Sequence, residues 1–85
     1  MLDNAEIEKL VVEFIKKRFL RQDRALGYEE SLFANNVIDS FGMLELIAFI
    51  EKSFKIRISP SEVKIENFDT IGNILRLINS KVKEA

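Results

Sequence analysis

Val37-Ile38-Asp39-Ser40-Phe41-Gly42-Met43-Leu44-Glu45-Leu46 is the stretch from which the fold of this chain is read. Asp39 and Ser40 are short polar residues of the kind that accept hydrogen bonds from the free N–H groups of a first helical turn. An apolar pattern starts directly after them. Met43, Leu46, Ile47, Ile50 and Phe54 share one side of a helix with about 3.6 residues per turn. The stretch therefore ends a polar loop and opens a helix, with the Ser40 hydroxyl expected in water. A second apolar row, Phe41, Leu44 and Ala48, runs along the same helix, offset from the core row by roughly a quarter to a third of a turn. A helix that only closes a core has little use for a large aromatic at that angle. Glu45, Glu51 and Lys52 border the row, and an apolar stripe rimmed by charge beside a hydroxyl suits docking.

Upstream, the spacing predicts a first helix over residues 4–20, capped by Asp3 or Asn4. Glu6 and Glu8 suit the positive end of its dipole, and Ile7, Leu10, Val11, Phe14 and Ile15 form its buried stripe. Lys16, Lys17, Arg18, Arg21 and Arg24 gather at the far end, where a helix C-terminus favours cations; a basic contact patch is the second reading of that cluster. No strong period survives over residues 21–38. Gly27, Asn35 and Asn36 mark turns there, and so long a connection needs either a function or anchors of its own. Tyr28, Leu32, Phe33, Val37 and Ile38 are the candidate anchors, with a short helical turn over 29–33.

Downstream, the second helix is expected from Ser40 or Phe41 to residue 54. Gly42 weakens its first turn by roughly 1 kcal/mol relative to Ala, and either a close approach of another backbone or tolerance near a helix end accounts for it. Ile56 and Ile58 alternate with charged residues and read as extended chain. Ser59-Pro60-Ser61-Glu62 is a capping box with Pro at the first helical position, predicting a short third helix over 60–64 with Val63 and Ile65 turned inward. Asp69 is expected to cap a fourth helix over 70–82, with Ile71, Ile74, Leu75, Ile78 and Val82 buried, Phe68 stapled near Gly72, and residues 81–85 frayed.

Together these elements predict an all-α four-helix bundle, three helices long and one short, with a long loop between the first two. The expected core is Ile7, Leu10, Val11, Phe14, Leu32, Leu46, Ile47, Ile50, Phe54, Ile58, Val63, Ile71, Leu75 and Ile78. Eighty-five residues allow one domain, spanning 1–85, with one modest core. An apolar content of 47% with 32% charged residues describes a folded chain rather than a disordered one. A formal net charge of −1 argues against nucleic acid as a partner. No apolar run approaches membrane-spanning length and no signal-peptide pattern opens the chain, so no membrane insertion is expected and the cytoplasm is the expected location. With no His and no Cys, Ser-His and Cys-His catalysis and thiolate or imidazole metal sites drop out. Ser40, with no base near it in sequence, is better suited to be another enzyme's substrate than a catalyst. The chain is therefore expected not to be an enzyme, and any thioester chemistry needs an imported thiol.

At these residues the chain resembles the acyl carrier protein family. That family's signature is Asp-Ser-Leu followed by a helix, with a glutamate five residues after the serine. Asp39-Ser40 match it, Phe41 replaces the leucine, and Glu45 and Leu46 fall in register. The resemblance extends over about residues 31–82, and the Leu/Ile-Asp-Ser-Phe-Gly variant looks like specialised stand-alone carriers, D-alanyl carrier proteins among them. It implies that a phosphopantetheinyl transferase attaches 4′-phosphopantetheine, drawn from coenzyme A, to Ser40 beside Asp39. An acyl- or aminoacyl-loading ligase would then charge the arm as a thioester, and a downstream transferase would collect the cargo from a monomeric carrier. Phe41, Leu44, Glu45, Ala48 and Glu51 would form the docking surface.

The chain departs from the family's housekeeping members at three positions. Gly42 stands where an acidic residue is frequent, Lys52 where acidic residues are common, and Phe41 is larger than the usual leucine. These departures imply partners with fewer basic residues and a wider apolar recess. Two other readings fit the same residues. In one, the chain is a helical interaction module and Ser40 is only an N-cap, so that Ser40→Ala costs roughly 0.5–2 kcal/mol yet leaves binding intact. In the other it is a small enzyme, for which Glu29-Glu30 offers only adjacent carboxylates.

Overall fold

The first helix begins on a reciprocal cap. The Asp3 carboxylate accepts the Glu6 backbone N–H at 2.9 Å, and the Glu6 carboxylate accepts the Asp3 N–H at 3.3 Å. From that cap α1 runs over Asn4–Phe19. This computed structural model describes residues 3–20 and 24–84, without the side chain of Glu84. Arg21, placed by sequence in the basic cluster, lies outside the described residues, as does Ala85. The order continues with α2 (Ser40–Phe54), a 3₁₀ turn (Pro60–Glu62), α3 (Ile65–Phe68) and α4 (Ile71–Glu84). No strand occurs among the described residues, so the expected all-α architecture is observed: three long helices, one short one and a long connection between α1 and α2.

α1 lies against both α2 and α4, and α3 against α4. The buried centre joins Val11 and Ile15 of α1, Leu46 and Ile50 of α2, and Ile71, Ile74 and Ile78 of α4, all nearly inaccessible to water. Burial of such aliphatic side chains supplies about 1.5–3 kcal/mol each before chain entropy is counted. Four members of the expected core sit nearer the surface. Leu10 is exposed, and Phe14, Phe54 and Val63 are only partly buried. The two phenylalanines instead edge the α1–α2 seam: Phe14 stacks on Phe49 with centroids 4.2 Å apart, and Phe54 meets Phe49 edge-on at 6.3 Å. Val37, Ile38, Met43, Ile56 and Phe68 fill the core in their place.

The segment between α2 and α4 and the end of α4 correct four expectations. The third helix is not continuous over 60–64: after the 3₁₀ turn Val63 leaves helical angles (φ −82°, ψ 84°), and α3 starts afresh at Ile65. Ile65 consequently points outward and Phe68, fully buried, takes the inward place. The capping box itself forms, with the Ser59 N–H donating to Glu62 at 2.8 Å. Asp69 does not cap α4. Thr70 does, its hydroxyl accepting the Asn73 N–H at 3.0 Å, because the Asp69 carboxylate is turned to the α1–α2 connection. Nor does α4 fray at residue 81: it stays helical to Glu84, and Lys81 pairs with Glu62 at 2.8 Å. That ammonium, followed by the Ser59 N–H, holds the Glu62 carboxyl down at about 2.

Candidate functional site

The connection between α1 and α2 decides where Ser40 sits, and it is tied at several points. The Asp69 carboxylate accepts the Ser31 hydroxyl at 2.9 and 3.0 Å and the Phe33 N–H at 3.0 Å, while the Asp69 carbonyl accepts the Leu32 N–H at 2.7 Å. The Leu32 carbonyl then accepts the Val37 and Ile38 N–H groups at 2.8 and 3.3 Å. Leu32 itself is fully buried. Tyr28 anchors through its backbone, the carbonyl accepting the Gly72 N–H at 3.1 Å, and through its ring, which lies so close to Gly72 that a Cβ there would stand 2.8 Å from Tyr28 Cε2. Arg24, the Gly27 N–H and Asn35 converge on Glu30 and, in that order, hold its carboxyl at about 2. The expected helical turn over 29–33 is replaced by turns at 28–29 and 32–36. Asn36 takes the left-handed backbone (φ 60°) that an Asn tolerates better than most residues.

From that frame the chain enters α2 through Asp39. The Asp39 carboxylate accepts the Gly42 N–H at 2.8 Å, and its carbonyl accepts the Met43 N–H at 2.8 Å. Asp39 is therefore the N-cap, and Ser40 is the first helical residue. The Ser40 side chain is exposed and its hydroxyl makes no hydrogen bond among the described residues. Gly42 lies beneath it, buried against side chains rather than a backbone: a Cβ there would meet the Phe19 ring at 3.1 Å and Ile38 Cβ at 3.3 Å. A shallow recess lined by Phe19, Asn36, Val37, Ile38 and Asp39 opens beside the serine.

Phe41 is 79% exposed and Leu44 55% exposed, and Ala48 is exposed on the same outer face. The two glutamates assigned to the rim have partners inside the protein. Glu45 pairs with Arg18 of α1, Nε to Oε2 at 2.6 Å and Nη2 to Oε1 at 3.1 Å, a two-point grip. Glu51 accepts the Ile58 N–H at 2.9 Å and so ties the chain after α2 back onto the helix. The structure thus brings Ser40, Phe41, Leu44 and Ala48 to one outer surface, sets Glu45 at its side under Arg18, and turns Glu51 away to the 56–59 segment. The sequence places Arg18 in the basic end of α1 and Asp69 at a cap and gives Ser31 no role; the Arg18–Glu45 and Ser31–Asp69 bonds span 27 and 38 positions, where no local period reports them.

An all-helical domain that holds a free serine at the head of a helix, beside an exposed apolar row, has the layout of a carrier. No family model matches the chain. Curated relatives do: it is 33% identical over 70 residues to the D-alanyl carrier proteins of Streptococcus pyogenes serotype M5 (strain Manfredo), serotype M49 (strain NZ131) and serotype M1, covering 82% of this chain and 87% of each relative. The chain belongs to the carrier protein family that includes these D-alanyl carrier proteins, and it is a carrier rather than an enzyme. No described helix is long and apolar enough to cross a membrane.

Proposed function

We propose that Ser40 is the attachment point for 4′-phosphopantetheine and that the single domain carries an acyl group between enzymes, with D-alanyl, the cargo in its relatives' names, as the group carried. One observation carries this reading. The cap is Asp39, so the Ser40 hydroxyl has no structural duty and stands exposed at the first position of a fifteen-residue helix. A phosphodiester on that oxygen would sit at the positive end of the α2 dipole, which favours an anion. When bound, phosphopantetheine supplies a terminal thiol that holds the acyl group as a thioester.

The chain's own residues do the rest. Asp39 and Gly42 set the entry of α2, and the ties to Leu32 and Asp69 hold the loop that delivers Ser40. Phe41, Leu44 and Ala48 dock successive partners: the phosphopantetheinyl transferase, a loading ligase and a downstream transferase. A small apolar row gives a weak, quickly reversed contact, and the tether then raises the local concentration of the cargo. The carrier works as a monomer in the cytoplasm. The test is charging. The phosphopantetheinylated protein, its ligase, ATP and labelled D-alanine should give a protein-bound label that neutral hydroxylamine releases; label that resists hydroxylamine, or none at all, refutes the cargo reading.

A further inference from the structure

Each acidic residue of α2 and its cap has a partner within the protein. Asp39 caps Gly42, Glu45 is gripped by Arg18, and Glu51 accepts the Ile58 N–H. The lysines on the same helix do not. Lys52 follows Ala48 by one turn, is exposed, and makes no ion pair among the described residues; Lys55, the left-handed C-cap, is exposed and unpaired in the same sense. Read along the outer face, Phe41, Leu44 and Ala48 therefore lead to uncompensated positive charge, and the one carboxylate beside them is already neutralised. Resting on the docking role given above to that row, we infer that the loading enzyme meets it with an apolar recess edged by carboxylates, and that Arg18 sets this preference by covering Glu45.

The Arg18–Glu45 pair is half-exposed, with side-chain accessibilities of 54% and 42%, so its own contribution to stability is small. Its effect lies in the sign of the field a partner meets. Rim charges of this kind act on encounter rate and on salt dependence more than on the stability of the docked complex.

The experiment is steady-state charging of the phosphopantetheinylated protein by the purified ligase that loads it with D-alanine in the presence of ATP, at low and high salt. Lys52→Glu should raise KM by about threefold to tenfold, and Lys52→Gln by less, with kcat unchanged. Added salt should raise the wild-type KM and lower that of Lys52→Glu. Glu45→Gln, which frees Arg18, should lower KM. Circular dichroism and urea unfolding establish that each variant is folded. A Glu45→Gln variant with a raised KM, or a Lys52→Glu variant with an unchanged or lowered one, overturns the inference while leaving the carrier role intact. A wild-type protein that takes up no phosphopantetheine overturns both.

Discussion

Asp69 and Ser31, 38 residues apart, are joined through both carboxylate oxygens, at 2.9 and 3.0 Å from the serine hydroxyl. The same carboxylate accepts the Phe33 N–H at 3.0 Å, so one side chain at the head of α4 fixes the middle of the loop that ends at Ser40. Asp69→Ala leaves that N–H and the hydroxyl unsatisfied and should cost about 1–3 kcal/mol, read by urea unfolding. Amide exchange at Phe33 should quicken with it. A variant as stable and as protected as the wild type would show that the loop is held by apolar burial alone.

Asp39 and Ser40 should separate cleanly on mutation, because only the first is a cap. Asp39→Ala should lose about 0.5–2 kcal/mol, as for a lost N-cap. Ser40→Ala should stay within about 0.5 kcal/mol of wild type, as for an exposed residue with no partner. Thermal unfolding of the two variants decides it, and equal losses would return Ser40 to a capping role.

Glu30 and Glu62 give the fold a defined response to acid. Each carboxyl is held at about 2 against an ordinary value near 4.5, Glu30 chiefly by Arg24 and Glu62 chiefly by Lys81. The unfolded chain takes up these protons first as pH falls. The stabilisation is therefore complete above about 4.5 and is lost towards 2. Glu30→Gln with Glu62→Gln should flatten the stability profile in that window, measured by denaturant midpoints across a pH series. An unchanged slope would locate acid sensitivity elsewhere.

Gly42 is buried where α2 meets Phe19 and Ile38, so a charged side chain cannot simply be added at that position. A side chain there runs into the Phe19 ring and Ile38 Cβ. Gly42→Asp should therefore destabilise the fold by about 1–3 kcal/mol through crowding and a poorly solvated carboxylate. Urea unfolding checks this, and wild-type stability would mean that Phe19 moves aside at little cost.

The long helices were legible because their apolar stripes repeat over three or four turns and their starts carry Asp or a capping box. Phe41, Leu44 and Ala48 were legible by the same spacing. The connection was only half legible. Val37 and Ile38 identify themselves as anchors by being apolar between polar runs, but Asp69 looked like a cap because Asp before a helix usually is one. Its engagement with Ser31 and Phe33 is a tertiary contact that leaves no trace in local sequence, and Thr70 caps α4 instead. Arg18 escaped for the same reason. A basic residue in a last helical turn already has a sufficient local explanation in the dipole, which hides its grip on Glu45. Ile65 differs from its expected place because Val63 and Lys64 interrupt the helix and α3 restarts at Ile65, which leaves that side chain exposed.

The most direct measurement is intact-protein and peptide mass spectrometry after incubation with coenzyme A and a promiscuous phosphopantetheinyl transferase, repeated with the protein's own transferase. A single phosphopantetheine on the peptide containing Ser40, absent from Ser40→Ala, is the predicted result. A wild-type protein left unmodified by both transferases, or a Ser40→Ala variant modified as readily as wild type, would contradict it.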